Sequence, residues 1–209
     1  MRIGIMGGTF DPIHNGHLML GEAALSQFSL DEVWFMPNGN PPHKSRGSIQ
    51  SDAHVRAHMT GLAIEGKEKF RLELYEVERE NVSYSYETLE HFRNSRREDQ
   101  LYFIIGADSL LAIETWASPG RVLKACTILA AYRDDMDTPE EMNAQIHYLN
   151  EKYGGDIRLL RVPLMDVSSR KLRGAIRKGQ DISAYVPAKV AAYIRKEGLY
   201  GRKNQQDKP

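Results

Sequence analysis

Two histidines three residues apart, His14 and His17, follow a glycine pair in the N-terminal run Ile3 to Leu18, IGIMGGTFDPIHNGHL. On a helix that spacing points both rings the same way. Gly7-Gly8 lets the backbone turn at little steric cost, and a turn feeding a helix leaves N–H groups unpaired at the positive end of the helix dipole. That is chemistry for an anion, a phosphate above all. Near the other end of the chain, Val167-Ser168-Ser169-Arg170-Lys171-Leu172-Arg173 places two hydroxyls at a helix start and the cations Arg170 and Arg173 three apart. This is a second anion cradle.

Each cradle has a plainer local alternative. Gly-Gly fits neither GxxxxGK[ST] nor GxGxxG, and many βα turns contain glycine and bind nothing. Ser168-Ser169 can simply cap a helix with a basic solvated face. A histidine pair can also ligate a transition metal, but no third and fourth ligand is marked nearby, so no protein metal site is expected.

The elements that must position these residues alternate along the chain. Ile3 and Ile5 begin a short apolar strand, and the stretch from Gly16 (GHLMLGEAALSQF) has apolar positions at helical spacing. A second buried strand is predicted over Glu32–Pro37, then a loop, Asn38 to Lys44, stiffened by Pro41-Pro42. Ser51 is placed as the cap of a helix to about Ile64 with Val55, Met59 and Leu62 on one face and Arg56 on the solvated side. Phe70–Val77 alternates as a strand, and Ser83 to Thr88 feeds a helix through Leu89 and Phe92. Leu101–Ile105 is the clearest buried strand, ending at Gly106-Ala107-Asp108-Ser109; Asp108 stands where a carboxylate accepts ribose hydroxyls, or caps a helix over Ser109–Ile113. Ser118-Pro119 opens a short helix to about Ala125, Thr127–Tyr132 is a strand, and Asp134–Asp137 is a solvated acidic turn without the spacing of a calcium loop. A helix over Pro139–Tyr153, a strand over Ile157–Val162, the Ser168-Ser169 helix and a last helix stopped at Gly198 complete the pattern. Alternating strands and helices predict an α/β fold with a doubly wound, mostly parallel sheet and a small C-terminal helical segment, as one domain over residues 1–200 with a polar tail, 201–209.

Composition bounds the partners. A chain of 209 residues suits one α/β domain burying roughly 70% of its unfolded surface. Lys+Arg and Asp+Glu both total 28, so no broad nucleic-acid or anionic-membrane surface is expected. No run approaches the ~18 apolar residues of a membrane span, and Met1 leads straight into the first strand. A cytoplasmic protein is the expectation. The single cysteine, Cys126 in KACTILAAY, excludes an intrachain disulfide and reads as a small buried hydrophobe rather than a nucleophile.

The run Gly7 to Leu18 resembles the nucleotidylyltransferase superfamily, with its His-x-Gly-His signature in His14-Asn15-Gly16-His17, and within it the nicotinate mononucleotide adenylyltransferases. Val167-Ser168-Ser169 with Leu172 and Arg173 resembles that family's second signature, Ile-Ser-Ser-Thr-x-x-Arg, with Arg170 in place of Thr or Ser. The resemblance covers nearly the full length. It implies a Rossmann-like fold and transfer of the adenylyl group of ATP to nicotinate mononucleotide, giving nicotinate adenine dinucleotide and pyrophosphate in NAD biosynthesis. It implies that His14, His17 and Arg173 are catalytic, and that Gly8, Thr9, Phe10, Gly106, Asp108, Ser168 and Ser169 join them in binding ATP. Asn38, His43, Lys44, Tyr84, Ser85 and Trp116 are implied for the mononucleotide, with Ser85 where Thr is usual, and for Arg56 a substrate contact is suggested only by resemblance. Mg²⁺ is implied, held mainly by the ATP phosphates. Oligomeric state stays open.

Two other readings remain at this point. One is another superfamily transferase, such as the phosphopantetheine adenylyltransferase; Pro41-Pro42-His43-Lys44, Tyr84-Ser85 and Trp116 favour the nicotinate family over it. The other is a nucleotide-binding regulator without turnover, against which the intact His14, His17 and Arg173 speak.

Overall fold

The computed structural model describes residues 1–40, 49–133, 139–163 and 165–201. In chain order the elements are β1 (Arg2–Gly8), α1 (Asn15–Gln27), β2 (Glu32–Pro37), α2 (Ala53–Ile64), β3 (Phe70–Leu72), α3 (Ser85–Ser95), β4 (Gln100–Gly106), α4 (Ala107–Leu111), α5 (Pro119–Ala125), β5 (Thr127–Arg133), α6 (Pro139–Tyr153), β6 (Ile157–Val162), α7 (Ser169–Arg177) and α8 (Ala188–Lys196). All five strand pairs are parallel, in the order β3-β2-β1-β4-β5-β6. The expected doubly wound sheet is therefore present, with no antiparallel strand among the described residues.

Both faces of the sheet are covered, which is why the inner strands β1, β2, β4 and β5 are largely apolar, whereas the edge strands β3 and β6 carry the exposed Arg71, Arg158 and Arg161. Successive side chains still divide between two cores. Met6, Val33, Phe35, Tyr102 and Ile104 pack with Leu18, Met59 and Ile194, while Ile3, Ile5, Trp34, Met36, Phe103 and Ile105 pack with Leu89, Phe92 and Val122. The chain turns from one half of the sheet to the other between β1 and β4. At such a switch point the loops leaving the two strands diverge, and the crevice they open is the expected ligand site.

Several local expectations change. The strand expected over Phe70–Val77 stops at Leu72, because the chain then turns: the Tyr75 N–H caps onto the Glu73 carboxylate, Glu78 N–H bonds Leu74 O, and Glu76 is carried inward to 2% exposure. Asp52, not Ser51, caps α2 by accepting from the His54 N–H at 2.8 Å. Asp108 is no cap; α4 starts a residue before it, from Gly106, and leaves Asp108 exposed in the first turn. Ser118 occupies the cap position of α5 but makes no side-chain cap bond. Cys126 is half-buried, its thiol pushed up to about 12 by burial, which removes it as a nucleophile at neutral pH. Pro41, Pro42, His43 and Lys44, the Asp134–Asp137 turn and the tail from 202 lie outside the described residues.

Candidate functional site

Strand β1 delivers Gly8 to the crevice with the Phe10 ring directly beneath it; a Cβ at Gly8 would lie 2.6 Å from that ring, so only glycine fits. The chain then passes through Phe10 in the left-handed region (φ 49°), a conformation that costs a non-glycine residue energy and persists where packing dictates it. Burial of Phe10 to 2% exposure does so here. The loop reaches His14, which precedes α1, and His17 one turn in. Their rings stack at 3.7 Å between centroids, with Phe10 edge-on to His17 at 4.9 Å.

This packing sets the chemistry of the histidines. The His14 backbone N–H donates to His17 Nδ1 at 3.2 Å, so in the neutral ring the His17 proton sits on Nε2. Burial pushes the His14 pKa down to about 4; burial, then the neighbouring His14, holds His17 well below the usual histidine range. Both rings are neutral donors at neutral pH rather than cations. Their ability to bind anions rests on directed N–H groups and the dipole of α1, not on a resident charge.

The loop carrying them is braced from the far end of the chain. Asp11, 1% exposed, accepts the Tyr200 hydroxyl at 2.6 Å and the Gln50 N–H at 2.7 Å. Arg173 Nη1 donates to the Asp11 carbonyl at 2.6 Å, Ser169 Oγ to the Pro12 carbonyl at 2.9 Å, and the Asn15 N–H to the Tyr185 carbonyl at 2.9 Å. Arg56 braces it from α2. Expected on a solvated face, Arg56 is 1% exposed, and its guanidinium donates to the carbonyls of Thr9 (2.7 Å), Asn38 (2.6 Å), Gly39 (3.4 Å) and Ser51 (3.2 Å). The planar fork fits this task, since it offers five donors in fixed directions. It bonds backbone carbonyls and lines neither of the cavities described below, so the structure gives it a bracing role in place of the suggested substrate contact.

Two cavities open at the carboxyl ends of the strands and meet at His17, Leu20, Gly106 and Ser109. The first, about 370 Å³, lies between β1, β2 and α3; Gly8, Thr9, Phe10, Asn38, Ser85 and Trp116 line it. The second, about 360 Å³, lies over β5 and β6 and is lined by His14, Asp108, Ser168 and Ser169. Trp116 meets Phe103 edge-on at 6.3 Å, forming an aromatic wall of the first cavity. Tyr84 is not in that wall. It stacks on Tyr86, whose ring carries the Arg121 guanidinium at 4.1 Å, so the hydroxyl-bearing Ser83 and Ser85 face the cavity instead.

At the second signature, Ser168 Oγ accepts from the Lys171 N–H at 3.2 Å and caps α7, while Ser169 touches the histidine loop. Arg173 lines neither cavity; it holds the Asp11 carbonyl and lies 3.9 Å from the Asp11 carboxylate. Arg170 is exposed. Sequence reasoning missed Glu76, Ser83 and Thr88, all buried and all lining the first cavity. The signal for Glu76 was present only as an acidic residue in an otherwise strand-like run.

A cytidylyltransferase-like family model matches residues 5–175. A probable nicotinate-nucleotide adenylyltransferase of Clostridium tetani is 43% identical over 94% of this chain and 97% of its own length. One from Lachnoclostridium phytofermentans is 43% identical over 95% and 98%. In fold, the chain is similar to the Plasmodium falciparum nicotinic acid mononucleotide adenylyltransferase complexed with NaAD, at a TM-score of 0.77 and 21% identity over 95% of this chain and 97% of that one.

Proposed function

We propose that this chain, which belongs to the nicotinate-nucleotide adenylyltransferase family of cytidylyltransferase-like proteins, transfers the adenylyl group of ATP to nicotinate mononucleotide and releases pyrophosphate. The observation that carries the site assignment is the meeting of two cavities at His17, with His14 stacked on it and lining the second cavity. One cavity takes the nucleotide and the other the acceptor. Their junction is then where the two phosphates meet.

The acceptor's 5′-phosphate, already ionised near neutral pH, attacks the α-phosphorus. A new P–O bond forms, the bond from the α-phosphorus to the bridging oxygen breaks, and pyrophosphate leaves with the electron pair. No protein nucleophile is required, so the chain contributes alignment and charge stabilisation. His17 Nε2–H, with its Nδ1 occupied by the His14 N–H, donates to a phosphate oxygen, and His14 stacks behind it as the second donor. Gly8, Thr9 and Phe10, implied by the resemblance for ATP, line the first cavity and so shape the junction from the acceptor side. Gly106, Asp108, Ser168 and Ser169 line the nucleotide cavity, Asp108 offering a carboxylate to ribose hydroxyls. Arg173 acts through Asp11, holding the loop from which both histidines project.

The acceptor cavity is assigned by its aromatic wall. Trp116, in the wall of this cavity, offers an aromatic surface for a flat heterocycle, and Ser85 begins α3, whose first N–H groups have no intrahelical partner and can meet a carboxylate. Magnesium, brought with the nucleotide, would be held mainly by the ATP phosphates and would neutralise part of their charge. Among the described residues no group of three or more His, Cys, Asp or Glu side chains is arranged to hold a cation. Among the described residues no helix is long and apolar enough to cross a membrane.

The experiment is His17→Ala followed by pyrophosphate release with ATP and nicotinate mononucleotide. Loss of an N–H aimed at a developing phosphoryl charge costs roughly 10²-fold or more in turnover. A folded variant with near-parental turnover overturns the assignment of His17.

A further inference from the structure

The first cavity includes a polar cluster in which Asn38, implied for the mononucleotide, is joined by Glu76, Ser83 and Thr88, to which no role has been given. Glu76 is 2% exposed, yet it lines the cavity with Asn38, Thr88 and Ser83. Asn38 Nδ2 donates to Glu76 Oε2 at 3.0 Å, and Thr88 Oγ1 donates to Glu76 Oε1 at 2.9 Å. Burial pushes the Glu76 pKa up, and the donors from Asn38 and Thr88 and the charge of Arg79 act against that rise. Gly39 closes over the cluster from the other side: a Cβ there would lie 1.9 Å from the Glu76 carbonyl oxygen, so the close approach requires glycine.

The backbone of Asn38 is pinned on both sides. Its N–H donates to the Gly8 carbonyl at 2.8 Å, and its own carbonyl accepts Arg56 Nη2 at 2.6 Å. What remains adjustable is the carboxamide. A carboxylate only accepts, so Glu76 fixes which end of that carboxamide faces it: the amino group turns to Glu76 and the carbonyl oxygen, Oδ1, turns away. Asn38 thereby offers the cavity an acceptor.

Resting on the acceptor proposed above, the chemistry then narrows. A nicotinate ring with its carboxylate, and an ionised phosphate, present acceptors only. The donors of a nicotinate mononucleotide at neutral pH are its two ribose hydroxyls. We infer that Glu76 is a positioning residue that aims the Asn38 Oδ1 at a ribose hydroxyl of the acceptor, making Asn38 and Glu76 together the site's selector for a ribosyl over a deoxyribosyl acceptor. Ser83, 6% exposed and with its hydroxyl without a partner in the structure, lies in the same wall and supplies a further hydroxyl there.

The test measures steady-state pyrophosphate release with nicotinate mononucleotide and its 2′-deoxy and 3′-deoxy analogues, for the parent, Asn38→Ala, Glu76→Ala, Glu76→Gln and the Asn38→Ala/Glu76→Ala double variant. The parent is expected to disfavour one deoxy analogue by roughly 10- to 100-fold in kcat/KM, the scale for leaving one buried acceptor unpaired. Asn38→Ala and Glu76→Ala are each expected to raise the KM of the ribosyl acceptor about that much, to erase the discrimination, and to leave the KM for ATP unchanged. The double variant is expected to be no worse than either single one. Glu76→Gln, whose Oε1 still accepts from Asn38, is expected to retain most of the selectivity. Should Glu76→Ala not fold, Thr88→Val, which removes only the second donor, serves in its place and must shift the acceptor KM and not that of ATP. Discrimination undiminished in Glu76→Ala, additive losses in the double variant, or a parallel rise in the ATP KM overturns the inference. A parent that uses none of these acceptors overturns the acceptor assignment itself, a different result from a parent that uses them all equally, which overturns only the selector.

Discussion

Arg56 carries a larger structural load than any other side chain in α2, and replacing it gives a quantitative check on how the site is held. Arg56→Met keeps most of the apolar stem and removes every donor. The carbonyls of Thr9, Asn38, Gly39 and Ser51 then lose a partner inside the protein, two of them from bonds of 2.7 and 2.6 Å. A hydrogen bond to a charged group contributes about 1.5–3 kcal/mol, so the two short bonds alone amount to a gross loss of about 3–6 kcal/mol. Removing the buried guanidinium returns part of this, because its desolvation cost disappears with it. The net loss expected is about 3 kcal/mol. For a protein of this size that corresponds to a melting temperature lower by roughly 6–12 °C. Arg56→Lys retains the charge but concentrates its donors at one point, and it is expected to fall between the parent and the methionine variant. Urea and thermal unfolding followed by circular dichroism give the stability, and pyrophosphate release gives the activity, which is expected to fall at least tenfold as the Thr9 and Asn38 loops relax. Arg56→Met melting within 2 °C of the parent and turning over normally would refute the claim that this side chain holds the site together.

Other perturbations separate the remaining parts. Tyr200→Phe removes only the hydroxyl that donates to Asp11 at 2.6 Å; it is expected to cost about 1.5–3 kcal/mol in urea unfolding and to lower kcat more than it raises either KM, and an unchanged kcat would detach the C-terminus from catalysis. Trp116→Ala is expected to weaken mononucleotide binding more than ATP binding in calorimetric titration; equal losses would remove Trp116 from the acceptor side. Acid destabilisation follows from the histidines. The unfolded chain takes up a proton near pH 6.5, whereas folded His14 does so only at about 4, so stability is complete above 6.5 and is lost as pH falls towards 4, by about 3 kcal/mol for His14 alone. His17, displaced in the same direction, adds to the loss. The urea midpoint is expected to drop between pH 7 and pH 5 and to drop less in His14→Gln; the same slope in both proteins would contradict the buried, neutral assignment.

The element order was legible because most strands are short apolar runs separated by stretches with helical spacing, even where the exact caps and ends differ. Ile157–Val162 and Pro119–Ala125 appear in the structure with the limits their residues suggest. The turn that carries the histidines was legible too, since Gly7-Gly8 and the His14–His17 spacing are local facts. What sequence spacing could not carry is partnership across the chain. Arg56 looked solvated because it stands off the apolar stripe of its helix, and nothing nearby in sequence announces that carbonyls at Thr9 and Asn38 will converge on it. Glu76 sits in a run that alternates like a strand, and its burial depends on donors from Asn38 and Thr88 on two other elements. Tyr200 reads as part of a chain end, yet its hydroxyl meets Asp11 at the far end of the sequence. Each case is a polar group whose burial is tolerable only through distant partners. Arg173 shows the reverse: its signature was recognised, but its guanidinium lies on the loop rather than in either cavity.

The most direct test of adenylyl transfer across the His17 junction is pyrophosphate release from ATP and Mg²⁺ with nicotinate mononucleotide, nicotinamide mononucleotide and phosphopantetheine offered as separate acceptors. Release that depends on acceptor, and is fastest with nicotinate mononucleotide, is the expected result. ATP binding without release for any acceptor, or release driven by phosphopantetheine, would contradict it.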